Sequence, residues 1–511
     1  MKKNVTLSQI GRRLVLTSWL GILLPYLFLI FPIPLIISFG LLDAINAPFF
    51  IMCTILLSPI ISFGFPKLSS YLPESLDQWF QNTKKFVLLL WGIGVLISWF
   101  SLGSLSIFLM DFKYSNYSVL PDDSFIIKHS CLTAYTHGSI LAEDPSLNVY
   151  DLSIVDLKKG DPYPPTAEIF KPFKLDAYGY PPPFLLFPKL LLLITKNYMS
   201  LRAMFSGISM LIAILTAYIL AKTLGNNHEK RIFIFTPLLI SSPAIAITLQ
   251  VGNFHLTAIS ISLLVWAYLE KNKNAISGTL LSIVTLSKIS PGILGIMLVF
   301  QKKYKAILSV IISTIIICGI TYLVFGGKIW NDFIFYHIPQ VQTGRALSFL
   351  AESEQNIEFN IAPFGIPFKL RALGILNIGW KEAKTASNIF SIFLLIITIL
   401  AAFRKGSPRF RLTIWISILM FGSLKSPYAA AFVMLTVSFL FLILVCELKS
   451  VKSIVLYIIA FILFSFHFPI SNPKIAIGVS LIRVSMLYIF LLWIIFRKEK
   501  PSGRGFSQGV G

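Results

Sequence analysis

From residue 14 to residue 496 the chain is a succession of apolar runs separated by polar loops, most of them short, and the length of those runs limits the fold more than any other feature. A helix needs roughly 20 apolar residues to cross about 30 Å of hydrocarbon. Windows of this kind lie near 14–42, 47–64, 86–110, 203–222, 232–250, 254–270, 275–300, 306–326, 386–402, 411–424, 428–447, 452–469 and 475–496. The expected fold is an all-α polytopic membrane protein with about 12–14 transmembrane helices. Only 13% of the residues are charged and the mean hydropathy is +0.78, which excludes an ordinary soluble domain. The start, MKKNVTLSQIGRRLVL, is basic like a signal peptide, but the apolar stretch behind it is too long and lacks a small-residue cleavage site, so it reads as an uncleaved anchor.

The net charge of +22 would suggest nucleic acid in a soluble protein. Here the basic residues fall in short loops, among them Arg12 and Arg13, Lys84 and Lys85, Lys302 and Lys303, Arg409 and Arg411, and Arg497 and Lys498. That is the positive-inside pattern, so the charge reports topology and no nucleic-acid partner is expected. It places two long loops, 111–181 and 327–385, on the extracytoplasmic face and the C-terminus in the cytoplasm. Residues 1–85 read as an extra membrane hairpin with an amphipathic linker, 86–496 as the main membrane domain and 497–511 as a basic tail. Simple alternation after Pro182 would put KTLGNNHEKR (222–231) outside, against the charge rule. In DAYGYPPPFLLFPKLLLL (176–193) the apolar part is too short to span and is broken by Pro188; it is expected to enter the outer leaflet and turn back, a reading that leaves the parity open.

Ten of the 22 acidic residues lie in 111–181: Asp111, Asp122, Asp123, Glu143, Asp144, Asp151, Asp156, Asp161, Glu168 and Asp176. Asp122 or Asp123 fits the N-cap of a helix whose apolar residues Phe125, Ile126, Ile127, Leu132 and Tyr135 share one side, which predicts a helix lying on the membrane surface. The histidines are scattered, no His/Cys cluster has zinc spacing and no Gly-rich phosphate loop follows a strand, so no metal and no cofactor is expected. The four cysteines, Cys53, Cys131, Cys318 and Cys446, indicate no disulfide framework.

Polar groups inside the apolar runs say more. Lys288 in TLSKISPGIL sits amid apolar residues at a Ser-Pro break, and a lysine at membrane depth normally faces a cavity or an anionic partner. The break predicts two half-helices within 275–300. Gln250, Asn253 and His255 in TLQVGNFHLTA form a second polar cluster, and Lys425 in FGSLKSPYAAAF a third.

These breaks, in this order, resemble the bacterial polyprenyl-phosphate-mannose-dependent alpha-mannosyltransferase family, a branch of the GT-C membrane glycosyltransferases. The pieces are Asp122-Asp123, NVYD (148–151), YPPPFLL (180–186), QVGNFHLTA (250–258), ISGTLLSIVTLSKISPGIL (276–294) and KSPY (425–428), together covering roughly residues 110–450. The resemblance implies a GT-C-type helix bundle and an inverting transfer of a hexose, mannose by default, from a polyprenyl-phosphate sugar to a glycan or glycolipid acceptor at the outer face of the bacterial plasma membrane. It implies an aspartate base, Asp123 first, then Asp122 and Asp111. The donor phosphate would meet Lys288, with Lys425 and His255 as further choices, and Tyr180, Gln250 and Asn253 would line the substrate cavity. The chain departs from the family in its two extra N-terminal spans, its long outer loop and its AAAF after KSPY. A flippase or exporter of lipid-linked glycans is the alternative, although a transporter would scatter charge along its central helices and show internal repetition.

Overall fold

The computed structural model describes residues 9–30, 47–151, 153, 165–343, 354–426, 430–448, 450–465 and 470–499. Asp156, Asp161, Pro427, Tyr428 and the tail from residue 500 lie outside them. Every regular element among the described residues is a helix. In chain order the ones that matter here are α1 (Ile10–Ile30), α2 (Ala47–Gly64), α3 (Lys85–Met110), α4 (Ser124–Lys128), α5 (Cys131–Leu141), α6 (Leu186–Ile194), α7 (Tyr198–Leu224), α8 (Asn226–Leu239) and α9 (Pro243–Gln250). They continue as α10 (His255–Glu270), α11 (Asn274–Ser287), α12 (Ile293–Phe300), α13 (Tyr304–Phe325), α14 (Ile366–Ala372), α15 (Trp380–Ala402), α16 (Pro408–Ser423), α17 (Ala430–Leu444), α18 (Val451–Ser465) and α19 (Pro473–Phe496).

Among the described residues seven helices are long and apolar enough to cross a bilayer, or eight if α8 and α9, bent by 58°, form one span; six shorter apolar helices accompany them. The apolar windows of the sequence thus divide into full-length spans and pieces cut short at proline and polar breaks. Proline sits in the first turn of α9, α16 and α19, where its missing N–H costs nothing. Ser407 and Asn472 cap α16 and α19 by accepting from backbone N–H groups. α7, α10, α16 and α17 form the buried centre, whereas α13 presents most of its surface outward, as a lipid-facing helix does.

The two ends of the bundle differ in charge. Arg231 donates to the carbonyls of Val445, Cys446 and Leu448 at 2.9–3.0 Å, Arg409 and Arg497 pair with Glu447, and Arg411 pairs with Glu270. The basic stretch 222–231 therefore shares an end with the C-terminal basic residues, as the charge rule requires. At the opposite end lie the C-terminus of α3 and the N-termini of α7 and α10. The end of α3 and the start of α7 are joined there by Arg202, which bonds the Phe108 carbonyl, and the nine-residue α6 between them is too short to cross.

The surface helix expected after Asp123 is not found. α4 lasts five residues, and α5 is buried nearly all round, with Thr133, His137 and Ser139 at 0–1% exposure beside Leu132 and Tyr135. The returning segment 174–185 and the turn Pro165–Phe170 cover the face that periodicity alone assigned to solvent.

Helix backbones approach closely where α11 crosses α13. A Cβ on Gly278 would stand 2.2 Å from the Ala306 carbonyl, whereas Gly319 on α13 meets nothing within 4 Å. Gly278→Ala is expected to cost about 1–3 kcal/mol because backbone cannot yield as a side chain can. Gly319→Ala should leave stability unchanged or raise it by about 0.5–1 kcal/mol. Thermal unfolding of the two variants in detergent checks the contrast.

Candidate active site

Four broken elements converge at the end of the bundle that carries the acidic loop. The first is the α9–α10 turn. Gly252 takes a φ of 62°, which glycine adopts without strain, and its bare Cα lies against Leu132 and Ser130 of the α5 start. The Val251 carbonyl then accepts from the Cys131 N–H at 2.7 Å, and Asn253 turns its amide so that Nδ2 donates to Cys131 Sγ at 3.3 Å while Oδ1 accepts from the His255 N–H at 3.0 Å. His255, 1% exposed, opens α10.

The second is the break between α11 and α12. α11 stops at Ser287, Lys288 is extended and Pro291 starts the next turn, so the expected pair of half-helices is present. Lys288 Nζ lies 2.5 Å from His255 Nε2 and over the rings of Tyr180 (5.5 Å) and Phe432 (5.4 Å), the latter on α17. Two electron-rich ring faces and an imidazole thus receive the ammonium.

The third is the return of the outer loop. Tyr180 and Tyr135 hydroxyls meet at 3.0 Å, Tyr150 donates to the Tyr180 carbonyl at 3.0 Å, and Tyr178 donates to the Pro181 carbonyl at 2.8 Å. Proline 181 to 183 then start the short turn before α6. His337, from the second outer loop, stacks on Tyr150 at 4.7 Å and so joins the two loops.

The fourth is the α4–α5 junction. Lys174 N–H donates to the Lys128 carbonyl and Asp176 N–H to Thr133 Oγ1, which brings the Asp176 carboxylate beside His129 and Cys131. Burial holds the Asp176 carboxyl above the usual carboxylate range and the neighbouring His129 partly opposes this; burial pulls His129 down. Burial, then Asp176, pushes the Cys131 thiol up. Asp176 and Lys288 both lie within electrostatic reach of the Cys131 sulfur, so the four elements form one polar group.

Below this group an apolar cavity of about 260 Å³ is lined by α6, α7, α10, α11 and α13, with Phe254, Leu286, Ser287 and Ile317 among its walls. Phe254 and Ser287 directly precede His255 and Lys288. Leu190 and Ile283 on its walls are exposed, so it opens toward the lipid-facing surface.

The other residues singled out from sequence lie as follows. Asp123 is exposed and caps α4, accepting from the Phe125 and Ile126 N–H groups at 2.9 and 3.1 Å; Asp122 is exposed beside it. Asp111 caps the turn after α3, accepting from Lys113 N–H at 2.9 Å and pairing with the Lys113 ammonium at 3.4 Å. Gln250 serves the loop: its Oε1 accepts from Val119 N–H at 2.8 Å and its Nε2 donates to the Ile126 carbonyl at 3.4 Å. Lys425 is exposed and donates to Ser387 and Ser391 of α15. The structure thus brings together Lys288, His255, Asn253 and Tyr180. Sequence reasoning passed over His129, Cys131, Asp176 and Phe432 as site residues; the available signal was an aspartate opening the Tyr-Pro stretch that returns the loop to the bundle.

Residues 178–427, a little under half of the chain, match the family model of glycosyltransferase family 87. The chain is a membrane glycosyltransferase. Comparison with curated proteins and with solved structures gave no match. The matched stretch of the glycosyltransferase contains Lys288, His255, Asn253 and the cavity, and begins two residues after Asp176.

His137 of α5 bonds Thr166 at 3.2 Å, and burial pulls its imidazole down to about 4 from 6.5. The unfolded chain takes up this proton at higher pH than the native glycosyltransferase does, so the contribution to stability is intact above about 6.5 and is lost as pH falls through about 4. Thermal unfolding between pH 7 and pH 4 should show a shallower decline for His137→Asn than for wild type.

Proposed function

We propose that this glycosyltransferase moves a hexose, mannose by resemblance, from a polyprenyl-phosphate sugar to a glycan or glycolipid at the extracytoplasmic face of the bacterial plasma membrane, with inversion of the anomeric centre. The observation that carries the reading is Lys288, bonded to the His255 imidazole, at the head of an apolar cavity open to lipid. A polyprenyl phosphate has the same two-part chemistry. Its tail gains about 0.8 kcal/mol for each methylene taken out of water, and its phosphate needs positive charge as the bond to the sugar breaks. Lys288 supplies a point charge at that oxygen, and His255 Nε2 stands where it can accept from Lys288 or face the phosphate. Tyr180 bounds the space from the loop side, and Asn253 orients the start of α10.

Inverting transfer needs one proton acceptor for the incoming hydroxyl and no covalent enzyme intermediate. The resemblance gives that part to Asp123, followed by Asp122 and Asp111. A second reading gives it to Asp176, on the observation that Asp176 belongs to the group reaching Lys288 while Asp123 caps α4 at the surface. A flippase would need neither carboxylate to complete a transfer.

The test uses membranes expressing wild type, Lys288→Met, Asp123→Asn and Asp176→Asn, supplied with polyprenyl-phosphate-mannose labelled in the sugar. Lys288→Met is expected to lower transfer by about 10²–10³-fold, the usual loss when one charge-stabilising donor is removed. One aspartate change should abolish transfer while the protein still retains the lipid donor, and which one does so names the base. Transfer by Lys288→Met equal to wild type would sink the phosphate assignment; translocation of a lipid-linked glycan with no transfer from any sugar donor would favour the exporter.

A further inference from the structure

His129, Cys131 and Asp176 each offer one ligand atom, and the three atoms lie within 4.8 Å of one another. No spacing in the sequence announces this set, since its third member is 45 residues from the second along the chain. We propose that the three side chains bind a zinc-class divalent cation, leaving a fourth position for an exchangeable ligand.

The donor chemistry points to that class. One sulfur, one imidazole nitrogen and one carboxylate oxygen form a borderline-soft set that suits Zn²⁺ and its near neighbours, whereas Mg²⁺ and Ca²⁺ take oxygen. The spacing agrees. Cys131 Sγ and His129 Nε2 are 3.6 Å apart, and tetrahedral bonds of about 2.3 Å to sulfur and about 2.0 Å to nitrogen place such a pair roughly 3.5 Å apart. Three protein ligands with an open fourth site are the pattern of exchangeable zinc centres.

The ligands are held by contacts that owe nothing to the ion. Phe125 stacks on the His129 ring at 5.1 Å and 14°, fixing its plane. The Cys131 N–H is tied to Val251, and Asp176 is tied through its N–H to Thr133. Asp176 Oδ1 accepts from the Ala177 N–H at 3.0 Å, which leaves Oδ2 for a cation. Asn253 Nδ2 donates to the sulfur at 3.3 Å, the outer contact that a metal-bound thiolate needs. A thiolate and a carboxylate cancel a 2+ charge, so the loaded centre is neutral and can sit near Lys288 without net repulsion. The ion would bridge the α4–α5 junction to the returning loop, beside the Lys288–His255 pair.

The inference concerns the same site but does not rest on the sugar reading, and its test uses no transfer assay. Full-length protein purified in detergent is stripped with chelator, given zinc, desalted and assayed for metal per chain; a second sample is loaded with cobalt and its spectrum recorded. Wild type is expected to retain about one zinc per chain and to show tetrahedral cobalt bands with a sulfur-to-cobalt charge-transfer band. Cys131→Ser should lose that band and most of the zinc, His129→Ala should bind at least about tenfold more weakly, and Asn253→Ala about tenfold more weakly. Cys446→Ser, which changes a cysteine elsewhere, should behave as wild type. Wild type that retains no zinc and gives no charge-transfer band overturns the proposal and leaves Asp176 to act as a carboxylate alone. Equal zinc on wild type and Cys131→Ser, both unfolding at the same temperature, also overturns it.

Discussion

Arg202, fully buried in the second turn of α7, is the contact on which the outer half of the molecule depends. Its guanidinium donates to the carbonyls of Phe108 and Gln250, the closing residues of α3 and α9, at 2.9 and 3.1 Å. Helix ends leave carbonyls without intrahelical partners, and in a bundle with no water nearby each unpaired one costs several kcal/mol. One planar donor group satisfies two of them and lies between the rings of Phe108 and Phe173, at 4.4 and 4.9 Å. Lysine, a compact point charge, could not reach both carbonyls and keep that stacking. Gln250 extends the clamp outward through its side chain to Val119 and Ile126. Two helices, the polar α9–α10 turn and the first part of the acidic loop are thereby fixed to one another, and the α5 start can rest on Gly252.

Once that frame is set, the position of Lys288 follows from energy as much as from geometry. A lysine at the middle of a membrane helix costs about 2.5–3.5 kcal/mol by insertion measurements. Two ring faces offset this by about 0.5–2 kcal/mol each, and the imidazole contact adds to them. The offset is comparable with the cost but leaves an ammonium whose partners are neutral. Such a group is held in place and remains available to an anion, which a carboxylate partner would have prevented. By contrast Lys369 on α14 donates to the carbonyls of Ile357 and Glu358 and to Ser480, all at 2.7–2.9 Å, and so reads as a structural tie between the second outer loop and α19.

The features legible in the sequence were those written locally. Apolar run length gave the all-helical membrane fold, and the Ser-Pro after Lys288 gave the broken helix, because hydrophobicity and proline act within a few residues. The charge rule asked that 222–231 and the C-terminal arginines share an end while the sequence left that parity open, and Arg231 shows the contact that joins them. What failed to show was everything made by the returning loop. α5 has the periodicity of a half-exposed helix, yet residues some 40 positions later cover its polar side, and no local pattern encodes that cover. Asp176 meets His129 and Cys131 for the same reason. Asp123 carried both a capping signal and a family expectation, and its hydrogen bonds in the structure are those of a cap.

The boundary of the family match bears on how the site divides. Residues 178–427 contain the cavity, the Lys288–His255 pair and the Gly252 turn, which under the proposed function form the half of the site that meets a lipid and its phosphate. Asp111, Asp122, Asp123, His129, Cys131 and Asp176 all precede the match. Two substrates make different demands on such an enzyme. A lipid-phosphate donor presents a uniform chain and one anion, which a groove and a cation satisfy whatever sugar is attached. An acceptor presents hydroxyls in a pattern of its own, and the groups that meet it must follow that pattern. The loop carboxylates Asp111, Asp123 and Asp176 accept from backbone N–H groups of the loop itself, and none of them lines the groove beneath. Under the proposed function, the separation between frame and cover assigns acceptor choice to the loop and donor retention to the helices.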